Sequence, residues 1–197
     1  MSFTFYRDEM MTITANDSYQ LDFNGAGKTE FRLYFGSPYS HETLRPVSDQ
    51  QIMLILNSCL KKWQPNYSYS IGNIVEPTIA NGCMYQVLDN DRTSSIEPEW
   101  STVPNTQCSS GRVTFANLGE KFQPDDIKMS LTHDGLDKAA PGTALQLGEQ
   151  LKGGKSIPVY FRINNPSSAA RSDRSDPSVS LSLNATITET IAHTGTL

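Results

Sequence analysis

The sequence predicts a mainly β protein: an antiparallel, immunoglobulin-like β-sandwich with a small aromatic-rich β module between its two halves. Three observations predict it. Apolar residues alternate with polar ones at period two in several segments, the spacing of a strand with one apolar and one wet face. Clusters of Gly, Pro, Asn and Ser separate those segments, as in antiparallel sandwiches and barrels. Both tryptophans and several tyrosines fall in one short central stretch.

Taken in order, Phe3 and Phe5 alternate like an edge strand. Met11, Ile13 and Ala15 repeat that spacing, and Phe31, Leu33 and Phe35 form a stronger set. Residues 49–61 admit two readings. Ser48-Asp49-Gln50-Gln51 resembles a capping box, and Ile52, Ile55, Leu56, Cys59, Leu60 and Trp63 lie at helical spacing. The alternative is a strand at 52–57, which a loose internal repeat favours. Gln20-Leu21, Gly27-Lys28, Tyr34-Phe35 and Ile52 to Asn57 are echoed by Gln146-Leu147, Gly154-Lys155, Tyr160-Phe161 and Val179 to Asn184. In the second copy the closing segment reads plainly as a strand. Ile127, Met129 and Leu131, then Ile157, Val159, Phe161 and Ile163, continue the alternation. The clearest set is Val179, Leu181, Leu183, Ala185 and Ile187 against Ser180, Ser182, Asn184 and Thr186. On this reading Val179, Leu181 and Leu183 are core residues, and Leu181→Ala costs about 2–5 kcal/mol where Ser180→Ala costs little. The expected organisation is an N-terminal β segment over 1–59, the aromatic module over 60–117, and a sandwich region over 118–197. The polar run 164–177 is a loop, and the tail after Thr190 orders against a partner.

Composition narrows the function. The net charge is −5 and the pI about 5.2, which supplies no electrostatic attraction to nucleic acid. The longest apolar run, Ile52-Met53-Leu54-Ile55-Leu56, is far short of the ~20 residues that span a bilayer. The N-terminus has neither the basic nor the apolar region of a signal peptide, so folding in a cytoplasm is expected. Cys59, Cys83 and Cys108 make an odd count with no Cys-x-x-Cys pair. Three partly buried thiols are expected, with a Cys83–Cys108 bridge as the alternative.

No catalytic constellation emerges. Gly25-Ala26-Gly27-Lys28-Thr29 imitates the end of a phosphate-binding loop, but Asp22 stands where the first glycine belongs and a strand pattern comes next where a helix is needed. It reads as a hairpin turn, and nucleotide turnover lost on Lys28→Ala would overturn that reading. His41, His133 and His193 are far apart without spaced companions. Asp89-Asn90-Asp91 lacks the glycine and distal glutamate of a calcium loop. Glu97 and Glu99 flank a proline beside Trp100 and read as a turn, not a glycosidase pair. The expectation is a non-enzymatic protein with no cofactor and no metal.

The informative motif is aromatic: Trp63, Tyr67-x-Tyr69-x-x-Gly72-x-x-Val75, Asn81-Gly82-x-x-Tyr85, then Glu97-Pro98-x-Trp100 and Gly111-x-Val113-x-Phe115. Asn-Gly is a strong hairpin signal. Tyr67 to Val75 reads as a strand ending in a glycine turn, and Glu97-Pro98-Glu99-Trp100 as a segment folding a second aromatic back over the hairpin. This order resembles the small aromatic modules of many tailed-bacteriophage virion proteins. It also looks like chitin-binding-type carbohydrate modules. Ser101 stands where proline often comes after the tryptophan, and Cys83 and Cys108 are outside the pattern. The run from Asp126 through Leu131, Gly135-Leu136, Leu145, Leu147-Gly148 and Gly154 to Tyr160-Phe161-Arg162 resembles the β-sandwich portion of the same virion class.

The resemblance implies a structural component of the neck, collar, head surface or tail. It implies other virion proteins as partners, homo-oligomerisation in the particle, and neither nucleic acid nor membrane as a partner. Such a protein is made in the host bacterial cytoplasm and carried in the virion. The alternative is a glycan-binding module of a tail fibre or secreted hydrolase. Trp63, Tyr67, Tyr85 and Trp100 are therefore either stacking platforms for sugar or the core of the small module, which has few other residues to bury. Candidate assembly contacts are Phe3, Phe5 and Tyr6, the 164–177 loop, and the tail from Thr190 to Leu197.

Overall fold

The computed structural model describes residues 2–15, 26–48, 50–165 and 176–189. Its strands are β1 (Thr4–Tyr6), β2 (Gly27–Ser37), β3 (Glu42–Pro46), β4 (Ile52–Ser58), β5 (Lys61–Lys62), β6 (Ile74–Glu76), β7 (Cys83–Val87) and β8 (Gln107–Ser110). They continue with β9 (Val113–Glu120), β10 (Ile127–Ser130), β11 (Leu145–Gly148), β12 (Leu151–Lys152), β13 (Lys155–Asn165), β14 (Val179–Leu183) and β15 (Ala185–Glu189). A 3-10 turn (Pro124–Asp126) and one α-helical turn, α1 (Gly135–Lys138), interrupt the series. The protein is thus mainly β, with antiparallel sheets consistent with a sandwich; an immunoglobulin strand order does not emerge from these pairings. Among the described residues no helix is long and apolar enough to cross a membrane.

The chain forms two compact units. Unit 1 takes Met1–Asn57, Pro124–Arg174 and Leu181–Leu197; unit 2 takes Ser58–Gln123 and a returning piece, Ser175–Ser180. The segments flanking the aromatic stretch therefore build one unit between them.

Unit 1 is organised on a long antiparallel ladder. β2 runs against β13 from Gly27 opposite Asn165 to Ser37 opposite Lys155. Opposed residues share a sheet face, so Phe31, Leu33 and Phe35 meet Phe161, Val159 and Ile157 on the apolar side. Phe31 stacks on Phe161 with ring centroids 5.0 Å apart. The other face pairs Glu30 with Arg162 and Arg32 with Tyr160. β1 adds beside β2 and β10 beside β13, giving the order β1-β2-β13-β10. Two three-stranded sheets, β11-β4-β14 and β12-β3-β15, hold its remaining strands, with unit 1 taking β14 from Leu181 onward.

Residues 52–58 form a strand, as the repeat predicts, and not a helix. Ile52, Leu54 and Leu56 are buried at period two, and β4 is paired on both edges. Two strand readings fail. Met11, Ile13 and Ala15 lie in a loop, because the Asp8 carboxylate accepts the amides of Thr12 (3.1 Å) and Ile13 (2.8 Å) and turns the chain, with Met11 at φ 58°. Leu131 falls just past the end of β10 and is exposed.

The predicted core strand 179–187 is also corrected. It breaks at Asn184 into β14 and β15, which belong to different sheets. The Asn184 side chain holds the break: its Oδ1 accepts the Met53 amide (2.7 Å) and its Nδ2 donates to the Gln51 carbonyl (3.1 Å). Among the described residues β14 is the edge of its sheet. Leu181 is 37% exposed, and Val179 and Leu183 are only half-buried. Leu181→Ala is therefore expected to cost under about 1 kcal/mol, whereas Leu54→Ala costs about 2–5 kcal/mol. Urea unfolding of the two variants checks this, and equal losses would return Leu181 to the core.

Candidate functional site: the aromatic unit

Unit 2 is one sheet of order β5-β6-β7-β9-β8, antiparallel except for the short β5–β6 pair. Its turns carry the sequence signals. Gly82 (φ 84°), in the Asn81-Gly82 pair, opens the return into β7, where the Asn81 Oδ1 accepts the Cys83 amide at 3.1 Å. Gly111 (φ 63°) turns β8 into β9, and a Cβ there would come within 2.8 Å of the Arg92 carbonyl oxygen and the Ser94 nitrogen, so only glycine fits. The stretch Tyr67–Tyr69 is not a strand. Apart from an isolated bridge from Ser68 to Arg92 it is a loop, and the strand begins at Ile74, after Gly72.

The aromatic motif forms one hydrophobic cluster. Trp63, Tyr69, Val75, Cys83, Tyr85, Val87, Val113 and Phe115 are buried in it, with Trp100 and Cys108 packed against its margin. Trp63 is 6% exposed and Tyr85 1%. Tyr85 lies 4.5 Å from Trp100 between ring centroids, and Trp100 meets Phe115 edge-on at 5.1 Å. Burial raises the Tyr85 phenol above its ordinary value. Its hydroxyl donates to the Ser101 carbonyl (2.9 Å) and accepts from Asn81 Nδ2 (2.7 Å). Of the four aromatic candidates only Tyr67, 42% exposed and edge-on to Tyr69, presents much of its ring to solvent.

The acidic candidates hold structure. Glu97 Oε1 accepts both Trp100 Nε1 and the Thr78 amide at 2.8 Å, which seats the Glu-Pro-x-Trp segment. Burial alone would raise the Glu97 carboxyl, but these hydrogen bonds hold it below the usual range. Asp89, Asn90 and Asp91 each accept a backbone amide, from Thr114, Ile71 and Arg92. Among the described residues no group of three His, Cys, Asp or Glu side chains converges to hold a metal. Lys28 and Thr29 are in strand β2, and Gly25 lies outside the described residues. His133 meets Glu30 at 2.9 Å in a surface network where Arg162 joins Glu30 (2.6 Å) to Asp137 (2.8 Å); His193 lies outside the described residues.

Cys83 and Cys108 do not form a disulfide. Cys83 pairs with Glu120 of β9 and Cys108 with Phe115, from opposite sides of that strand. Two strand spacings of about 4.8 Å and five residues along β9 hold them too far apart for a disulfide, which needs Cα atoms within ~7 Å. Burial pushes the Cys108 thiol up to about 11, so its nucleophilic thiolate is scarce at neutral pH. Exposed Cys59 is expected to label rapidly with a maleimide at pH 7, with Cys108 labelling slowly until the pH approaches 11. Equal rates at pH 7 would contradict the burial argument.

Two buried polar arrangements have no local sequence signal. Lys121 Nζ and Glu76 Oε2 form an ion pair of 2.6 Å, with side chains only 5% and 8% exposed. In unit 1, buried Glu42 accepts the hydroxyls of Ser37 (2.5 Å) and Ser2. The latter ties the N-terminal segment down. Phe3 and Tyr6 are buried and Phe5 packs on Phe35 at 5.1 Å, so these three candidate assembly contacts belong to the chain's own core. The outer edge of β1 is partly occupied too, since Ala15 N donates to the Phe5 carbonyl at 2.8 Å. Thr190, Leu197 and residues 166–175 of the polar loop lie outside the described residues.

No protein family model, no curated protein and no solved structure matches the chain.

Proposed function

We propose that the chain is a non-enzymatic structural component of a tailed-bacteriophage virion, at the neck, collar, head surface or tail, acting in particle assembly. The observation that carries the reading is the fate of the aromatic motif. Most of the large residues by which the sequence resembles virion modules, Trp63, Tyr69, Val75, Tyr85, Val113 and Phe115, pack the core of unit 2, as expected of a motif that builds a scaffold. The acidic surface suits a protein that stays soluble at the concentrations assembly requires. Its partners are other virion proteins and further copies of itself, because virions are built by symmetric repetition. The chain is made in the bacterial cytoplasm and carried in the particle.

The glycan-binding reading is second, and Tyr67 is the observation that favours it. Protein analysis of purified particles tests the first reading: the chain is expected in multiple copies per virion, and its absence from particles would refute it. Calorimetric titration with chito-oligosaccharides tests the second. No heat is expected, and millimolar or tighter binding lost on Tyr67→Ala would place the glycan reading first.

A further inference from the structure

We infer that unit 1 is an internal dimer: two copies of one folding unit within a single chain, related by a local two-fold axis between Leu33 and Val159. When Tyr34-Phe35 is laid on Tyr160-Phe161, Leu33 falls on Val159. In the β2–β13 ladder Leu33 is also the residue opposite Val159. A residue faces its own equivalent only at a two-fold axis. Every antiparallel ladder has local dyads along its length, so the weight lies in what surrounds this one.

The outer strands obey the same axis. β1 sets Thr4, Phe5 and Tyr6 against Gly36, Phe35 and Tyr34. β10 sets Lys128, Met129 and Ser130 against Arg162, Phe161 and Tyr160, the equivalents of those three residues in the same order. Phe5 and Met129 thus occupy matching apolar positions, each beside the phenylalanine of its own Tyr-Phe pair.

The closing strands of the repeat, β4 and β14, are neighbours in one sheet. The asparagine that ends each copy reaches into the other. Asn57 Nδ2 donates to Ser182 Oγ at 2.8 Å, and Asn184 Oδ1 accepts the Met53 amide at 2.7 Å. The two contacts tie the copies together at one end without repeating each other, since Asn57 meets the counterpart of Ile55 whereas Asn184 meets Met53; the two-fold rests on the β1-β2-β13-β10 pairings.

Beyond the closing asparagine the copies diverge. Unit 2 begins directly after Asn57, whereas Asn184 leads into β15.

An experimental structure of the unaltered chain tests the axis. β1–β2 is expected to fall on β10–β13 after a rotation of about 180°, with the axis between Leu33 and Val159. A rotation far from that, or an axis elsewhere, overturns the inference. A second test exchanges Thr4-Phe5-Tyr6 with Lys128-Met129-Ser130 in the full chain, once in the equivalent register and once displaced by one residue. The in-register exchange is expected to keep cooperative unfolding and the cross-strand contacts of β2 with β13. If it disrupts them as much as the displaced one, the copies are not equivalent.

Discussion

Lys121→Ala is expected to destabilise unit 2 by about 3–5 kcal/mol, because it leaves the Glu76 carboxylate buried without its partner. The pair is 2.6 Å apart with both side chains almost wholly out of water. A buried charge stripped of its counter-ion keeps the full desolvation cost and loses the attraction that offset it. Removing both charges together behaves differently. Glu76→Leu combined with Lys121→Met replaces the pair by apolar groups of similar volume, and is expected to cost far less than Lys121→Ala alone. Both tryptophans belong to unit 2, so tryptophan fluorescence during urea unfolding reports on that unit. A double variant as damaged as the single one would show that the residues matter for their shape, not their charges.

Phe115→Ala is expected to cost about 3–5 kcal/mol, the range for removing a large buried aromatic and leaving a cavity. Phe115 is 0% exposed and touches Tyr69 (5.8 Å) and Trp100 (5.1 Å) between ring centroids. Its loss would unseat both neighbours and flatten the near-ultraviolet circular dichroism of the unit. Tyr67→Ala, at the exposed end of the same aromatic series, is expected to cost under about 1 kcal/mol. Comparable losses at the two positions would mean that Tyr67 carries structure that its exposure does not suggest.

Much of the architecture was legible because it is written in local chemistry. Alternation at Phe31, Leu33 and Phe35 and at Val159 and Phe161 marked the two strands of the central ladder. The Tyr-Phe repeat favoured a strand over a helix for residues 52–57, where helical spacing and a capping box pointed the other way. Gly82 of the Asn81-Gly82 pair and Gly111 stand at positive φ, which favours glycine, and Glu97 seats Trp100 by a hydrogen bond within Glu97-Pro98-x-Trp100. The aromatic candidates could be found as a set from sequence. Their division into buried Trp63 and Tyr85, marginal Trp100 and exposed Tyr67 could not.

By itself, the sequence determined that the chain is β-rich, where most turns fall and which aromatics belong together. These properties arise from side-chain period and from backbone preferences that act over a few residues. The tertiary structure alone decided which alternating strands are covered. Leu181 alternates as well as buried Leu33 does, but burial requires a neighbouring layer, and period two says nothing about whether one is there. It decided that Met11–Ala15 turns instead of extending, because the Asp8 carboxylate captures two amides ahead of it. It also joined Glu76 to Lys121 and Glu42 to Ser2, since polar groups far apart in the chain meet only after the sheets have formed.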